Sequence, residues 1–401
     1  MGGPEDFEAL LRELHGEGPE ASARPAVRSA GGATFTPAAD LEAGTPAGDR
    51  ARLDAWLHEL VARRASDLLL VAGAPPALRI DGRVVALGGP ALEGPAIEAA
   101  VMEGLPPHAA AQYRDAGIAD ASYRLVNIGR FRINLHRERG RAAAAIRALP
   151  TDVPRLASLQ LPAGVEALSR LTRGLVLIGG PTGSGKSTTL AALVDDINRR
   201  DERHIIVIED PTEYEHAHRR SLVEHIEIGI DAPDFPTALR AALRQAPDVI
   251  VVGEMRDPET MRIALAAAET GHLVLSSVHT TDAASTVSRI ADSFPLERQN
   301  TIRQELSMAL SALMTQMLLP KIGGGRVPAA ELLMVGYGAR QHIRKDALQH
   351  LHQEITITRR QGSVALEESL ARLVREKLVE HREALARAAH PEEFERHVKA
   401  G

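Results

Sequence analysis

The stretch Gly174–Leu190 reads Gly-Leu-Val-Leu-Ile-Gly-Gly-Pro-Thr-Gly-Ser-Gly-Lys-Ser-Thr-Thr-Leu: an apolar run, a glycine loop, a lysine and three hydroxyls. Leu175 to Ile178 form the uninterrupted apolar run of a strand buried on both faces, and Ala191, Ala192, Leu193 and Ile197 continue the pattern as a helix. Between them Gly180, Gly185, Lys186 and Ser187 fit G-x-x-x-x-G-K-[ST]. Glycine at 183 and 185 lets the loop turn its amides inward around phosphate oxygens in torsions a side chain resists. The helix that opens near Lys186 adds unsatisfied amides and the positive end of its dipole, Lys186 reaches toward β- and γ-phosphates, and the Ser187 hydroxyl is placed for Mg²⁺. A glycine turn that binds nothing is the bland alternative, and the strand-loop-helix context argues against it.

Composition narrows the remaining possibilities. The chain has 401 residues, room for two domains and an appendage. Its 47 basic and 53 acidic residues give a net charge of −6, and aromatic residues make up only 3%, which disfavours a dedicated nucleic-acid binder. There is no cysteine, which excludes a disulfide framework and Cys-ligated zinc or iron–sulfur centres. No apolar run reaches the roughly eighteen residues of a membrane span, and the N-terminus lacks a signal-peptide pattern. We therefore expect a soluble cytoplasmic chain that meets a membrane only through a partner.

Outward from the loop, residues 1–50 are rich in Ala, Gly and Pro and are expected to be disordered. A short amphipathic helix is expected near 5–15, where Phe7, Leu10, Leu11 and Leu14 recur after Pro4-Glu5-Asp6. A first domain is expected over 51–148. Leu53, Trp56, Leu57, Leu60 and Val61 mark a helix face, Leu68–Val71 and Ala77–Ile80 read as strands, and Asp81-Gly82 turns into Val84–Leu87. Two helical segments follow near 95–116. Phe131, Ile133 and Leu135 then alternate with Arg130, Arg132, Asn134 and His136, apolar on one face and basic on the other. Arg130, Arg132, Arg137, Arg139, Arg141 and Arg147 fall within eighteen residues, with Glu138 the one acid among them. Such a run is usually a solvated edge, but next to a nucleotide-binding domain it could reach a neighbouring subunit's phosphates. Pro150, Pro154 and Pro162 mark a linker over 149–164.

After the glycine loop come three more buried-strand runs. His204–Ile208 ends in Glu209-Asp210-Pro211-Thr212-Glu213, Val249–Val252 in Gly253-Glu254-Met255-Arg256-Asp257, and Leu273–Ser277 in Val278-His279-Thr280-Thr281. Parallel α/β sheets bind ligands beyond the carboxyl ends of their strands, so these tips should crowd one nucleotide. The core is placed at 165–294. Beyond Phe294 the pattern reads as helical, and 295–401 is expected to be mainly helices packed on the core, with Gly323-Gly324-Gly325 as a loop and Leu366, Leu370, Leu373, Val374 and Leu378 as an apolar stripe.

With these boxes in order, the chain resembles the secretion ATPase superfamily and, within it, the PilT-type retraction motors of type IV pili. Gly180–Ser187, Ile208–Glu213, Val251–Asp257 and Thr270–Thr281 carry the likeness, together with Ser66-Asp67-Leu68 and Gly129–Asn134 in the first domain. The missing tetracysteine insertion after Leu318-Leu319-Pro320-Lys321, and Ala339–Asp346, partly similar to a retraction-linked signature, favour that branch over assembly and type II secretion motors. The resemblance implies an α/β protein with a PAS-like N-terminal domain and a RecA-like P-loop ATPase domain with C-terminal helices. It further implies a homohexamer that uses ATP and Mg²⁺, works on an inner-membrane platform protein and drives pilin depolymerisation. An accessory paralogue or an assembly or type II secretion ATPase is the alternative within the class; a nucleotide-gated scaffold and a nucleic-acid translocase lie outside it.

The chemistry of γ-phosphoryl transfer assigns parts. Gly180, Pro181, Thr182, Gly183, Ser184, Gly185, Lys186, Ser187 and Thr188 would cradle the phosphates, and Ser187, with Glu254 directly or through water, would serve Mg²⁺. Glu213 is the candidate to polarise the attacking water, with Glu209 and Asp210 behind it. His279 would touch the γ-phosphate or a carboxylate. Arg130, Arg132, Arg137 or Arg141 would act in trans, and Arg256 is equally a salt-bridge partner of Glu254.

Overall fold

The computed structural model describes residues 49–80 and 82–400. The expected helix near 5–15 and Asp81 of the expected turn lie outside the described residues. The chain divides into two units between Thr151 and Asp152.

The first unit opens with helix α1 (Asp49–Ala62) and continues β1 (Asp67–Val71), β2 (Ala77–Ile80), β3 (Arg83–Ala86), α2 (Gly94–Met102), α3 (Pro107–Ala116), β4 (Ile118–Leu125), β5 (Gly129–Glu138) and β6 (Arg141–Leu149). The six strands form one sheet in the order β3-β2-β1-β6-β5-β4, antiparallel throughout. Ile80 lies opposite Arg83 and Gly82 has φ +80°, the left-handed torsion a two-residue hairpin asks of glycine. Period-two alternation sends Phe131, Ile133 and Leu135 into a core shared with Leu53, Leu57 and Leu60 of α1 and Tyr113 of α3. Val61, expected on the buried face of α1, is instead exposed, and Arg130, expected on the solvent face of β5, is buried.

The second unit holds seven strands: β7 (Gly174–Gly179), β8 (His204–Glu209), β9 (Leu222–Glu227), β10 (Val249–Val252), β11 (Leu273–Val278), β12 (Leu310–Pro320) and β13 (Arg326–Met334). Their order is β13-β12-β7-β11-β10-β8-β9, parallel except for the antiparallel β13 edge. Helix α4 (Lys186–Arg200) covers one face; α5 (Phe235–Ala242), α6 (Pro258–Glu269), α7 (Ala283–Asp292), α8 (Leu296–Ala309), α9 (Tyr337–Arg344) and α10 (Leu351–Ile357) contribute to the other. Leu175 and Leu177 feed one core while Val176 and Ile178 feed the opposite one, which is why the strand sequence shows no alternation. β7 and β8 are consecutive in the chain, yet β11 and β10 lie between them. That separation brings the carboxyl ends of β8, β10 and β11 alongside the loop that leaves β7.

Beyond Phe294, where the pattern reads as mainly helical, the structure has helices together with two strands. Leu310–Pro320 and Arg326–Met334 are strands, joined by the loop that contains Gly323–Gly325, all three with positive φ. No glycine or proline separates Ala309, the last residue of α8, from Leu310, the first of β12, and the run Leu-Ser-Ala-Leu-Met-Thr-Gln-Met-Leu-Leu contains mostly helix formers. What makes it a strand is the open edge of β7, with Met314 paired to Ile178 and Thr315 to Gly179. The C-terminal helices α11 (Leu366–Arg375), α12 (His381–Leu385) and α13 (Pro391–Lys399) then pack Leu370, Leu373, Ala384 and Phe394 against Leu319, Val327 and Ala329 of this ribbon.

Candidate active site

The loop after β7 turns through positive φ at Gly180 (+152°), Gly183 (+77°) and Gly185 (+92°) before α4 begins at Lys186. Two of these positions have no room for a side chain. A Cβ on Gly180 would meet Ser184 Oγ and lie 2.5 Å from the Gln316 carbonyl, and one on Gly185 would lie 2.8 Å from Gln316 Nε2. Lys186 is buried, and its Nζ donates to the carbonyls of Gly180 (2.8 Å) and Pro181 (3.1 Å). Burial pulls its pKa below the ordinary lysine value, against the opposing pull of the Glu254 and Glu213 carboxylates. Both acids therefore act electrostatically on the same ammonium. Ser184 Oγ is buried without a hydrogen-bond partner, a polar atom aimed into the loop.

The tip of β10 carries Gly253 where a metal-binding aspartate is common. A Cβ there would lie 3.1 Å from Glu209 Cγ, so the glycine is what lets Glu209 of β8 stack beside it. Glu209 Oε2 in turn accepts the Glu213 backbone N–H at 3.1 Å, fixing the turn that presents Glu213. The carboxylate of Glu254 is held at both oxygens: Arg256 Nε donates to Oε2 at 2.9 Å, and His279 Nε2 lies 3.1 Å from Oε1. The Ser276 and Ser277 hydroxyls bond the Val252 and Gly253 carbonyls at 2.7 Å each, locking the tip of β10 to that of β11. Thr280 Oγ1 and Thr286 Oγ1 share a 2.6 Å bond, and Asp282 caps α7.

Lys186, Glu213, Glu254 and His279 are thus gathered at the carboxyl edge of one sheet, beside Ser187 and Thr188 in the first turn of α4. His272 is not: it sits at the entry to β11, its Nδ1 3.0 Å from the Ala267 carbonyl. The six residues of β11 put it about 20 Å from the site edge at ~3.3 Å per residue. The candidate arginines of the first unit each have a partner there. Arg132 pairs with Asp120 and Arg141 with Glu138, both at 3.5 Å and exposed, while Arg137 lies 5.3 Å over the Tyr113 ring. Arg130 also has a partner.

Sequence reasoning missed several supporting residues. Tyr214 OH meets Thr188 Oγ1 at 2.9 Å, and burial raises the Tyr214 pKa, so the phenol stays neutral. Buried His216 stacks on half-buried His225, their ring planes 3° apart; the His216 backbone N–H donates to His225 Nε2 at 3.0 Å, and burial lowers the His216 pKa to about 4. These rings brace the segment that follows Glu213. Gln316, in the run read as helix, bonds both Ser184 and Thr189. Its one sequence signal is a polar side chain in the middle of an apolar run. A cavity of about 400 Å³ is also lined by Thr182 and Gly183 together with Met317, Leu318, Arg326 and Arg387.

The glycine cradle, the buried lysine and the converging carboxylates define a P-loop nucleotide site. Residues 148–399 match the family model described as type II/IV secretion system protein, and the chain belongs to that family. It is 40% identical over 330 residues to the type IV pilus retractation ATPase PilT of Pseudomonas aeruginosa, spanning 82% of this chain and 96% of that one. A twitching motility protein of Neisseria gonorrhoeae is 38% identical over 80% of this chain and 86% of its own, and the type IV pilus ATPase PilU of Pseudomonas aeruginosa 34% over 86% and 91%. Among solved structures, the pilus retraction motor PilT with bound ADP superposes with a TM-score of 0.77 at 42% identity, covering 84% of this chain and 97% of that one. The mixed α/β fold with a RecA-like second unit agrees with the architecture the resemblance implies. Among the described residues no helix is long and apolar enough to cross a membrane.

Proposed function

We propose that this chain hydrolyses ATP and uses the energy to retract type IV pili, acting as a homohexamer on an inner-membrane platform protein. The observation that carries the catalytic part is the buried lysine of the glycine loop, its Nζ bonded to the Gly180 and Pro181 carbonyls, at the same sheet edge as the Glu254 carboxylate that Arg256 and His279 hold. The biological part rests on the nearly full-length likeness to a pilus retraction ATPase.

In this reading Lys186 exchanges its loop carbonyls for β- and γ-phosphate oxygens, and the amides of residues 182–188 take the rest of the charge. Ser187 and Glu254 would hold Mg²⁺, which when bound neutralises charge between the β- and γ-phosphates. Glu213, presented by its bond to Glu209, orients the attacking water. His279 fixes Glu254 and senses whether a γ-phosphate lies beside it. The cavity at Met317 and Leu318 takes the ribose and base. Arg132 and Arg141, whose exposed ion pairs cost little to break, are the first choices for charge supplied to a neighbouring subunit.

The test is a Mg²⁺-dependent ATPase assay on purified protein, together with pilus behaviour in a strain carrying Lys186→Ala. Long, abundant, immobile fibres support retraction; bald cells point to assembly. Wild-type protein without ATPase activity would overturn the proposal. The likeness to PilU keeps an accessory role as the second reading, supported if twitching persists without the chain.

A further inference from the structure

Outside the residues that face a nucleotide, one buried side chain is tied to the glycine loop at two places. Gln316 sits on β12 one residue beyond Thr315, which pairs with Gly179 at the point where β7 becomes the loop. Its side chain is 5% exposed. Nε2 donates to the Ser184 carbonyl at 2.8 Å, and Oε1 accepts the Thr189 hydroxyl at 2.8 Å. Thr189 is itself 1% exposed, and its backbone N–H donates to the Gly185 carbonyl at 3.0 Å. The two side-chain bonds bracket residues 184–189, the segment that contains Lys186 and Ser187.

The glycines that make the loop able to wrap a phosphate also give it the largest conformational freedom to lose. Without an external tie, that entropy would be lost when the nucleotide binds and would weaken the affinity. An amide fits the task because it offers a donor at one end and an acceptor at the other, and the Ser184 carbonyl in the loop and the Thr189 hydroxyl in the first turn of α4 stand at matching positions. Close packing reinforces the tie, since Gly180 and Gly185 both approach Gln316 too closely to carry a Cβ.

We propose that Gln316 is a positioning residue that holds the phosphate loop in its binding shape before the nucleotide arrives. The proposal rests on reading this loop as the nucleotide site. Because the shaped loop is needed equally in the ground and transition states, losing the tie should raise KM more than it lowers kcat.

The test measures binding of fluorescently labelled ADP with Mg²⁺, and ATPase kinetics, on the full chain. Gln316→Leu, one bond shorter, apolar and unable to make either hydrogen bond, is expected to raise Kd and KM about tenfold or more while kcat stays within about threefold. Gln316→Glu keeps the acceptor for Thr189 but turns a carboxylate oxygen toward the Ser184 carbonyl. It is expected to bind as weakly as the leucine variant at pH 8 and to recover toward wild type near pH 5.5, where a protonated carboxyl can donate; the leucine variant should show no such recovery. A folded Gln316→Leu with wild-type Kd overturns the inference. If that variant fails to fold by circular dichroism, Thr189→Val, which removes one bond, carries the test, with a Kd raised about threefold supporting the inference and an unchanged Kd overturning it. Wild-type protein that binds no nucleotide defeats the loop reading and this inference together; wild-type binding with unaltered variants defeats the inference alone.

Discussion

The two sheets of this protein use similar alphabets to different ends. In the second unit six strands run parallel, so their carboxyl ends all fall on one edge, and residues as distant in sequence as Lys186, Glu213, Glu254 and His279 meet there. In the first unit every neighbouring pair is antiparallel, so strand ends alternate and nothing accumulates at one edge. Its arginines are strung along β5 and β6 and are matched locally, Arg132 with Asp120, Arg137 with Tyr113 and Arg141 with Glu138. A parallel sheet concentrates polar groups; an antiparallel one distributes them.

The strongest attempt to break this contrast is Lys186→Ala. It removes the one buried cation of the concentrated edge and should lower ATP turnover by about 10³-fold or more while leaving the circular dichroism spectrum unchanged. Next comes the distributed set. If one of Arg130, Arg132, Arg137 and Arg141 acts in trans, its alanine variant should lose about 10³-fold in turnover while the other three stay within a few fold. Four equal, small effects would confine the first unit's arginines to structure.

The carboxylates sharpen the comparison within the parallel edge. Glu213→Ala and Glu254→Ala should each cost about 10²- to 10³-fold in kcat. Near-normal turnover for the first with none for the second would reverse the roles assigned to them.

The smallest effect concerns stability. Glu269 at the end of α6 and Glu305 on α8 each have a buried carboxyl oxygen without a partner. Burial first, and then the neighbouring Glu305 charge, raises the Glu269 pKa to about 7. A carboxyl whose folded pKa lies above its unfolded value holds its proton longer in the folded state, so stability falls as pH rises from about 4.5 through 7. Glu269→Gln should flatten that slope and add on the order of 2 kcal/mol at pH 8, read as a higher melting temperature there than wild type and little difference at pH 5.

Much was legible in the sequence because the chemistry is local. The glycine-lysine-serine loop can be read without neighbours, since each residue's job follows from its own backbone freedom or charge. The runs Ile205–Ile208, Val249–Val252 and Leu273–Val278 announce buried strands because no surface helix is apolar all round. From those two facts the α/β class and the identity of Lys186, Glu213, Glu254 and His279 as candidates follow.

What the sequence did not contain was anything decided by a partner far along the chain. Leu310–Pro320 is written in helix-forming residues and becomes a strand only because β7 leaves an edge to pair with. Once there, it delivers Gln316 to a loop more than a hundred residues earlier, at Ser184 and Thr189. Gly253 likewise has no visible reason in its own neighbourhood until Glu209 is packed beside it. Local propensity and motif chemistry named the parts; long-range pairing and close packing, which a linear pattern does not record, determined which parts touch.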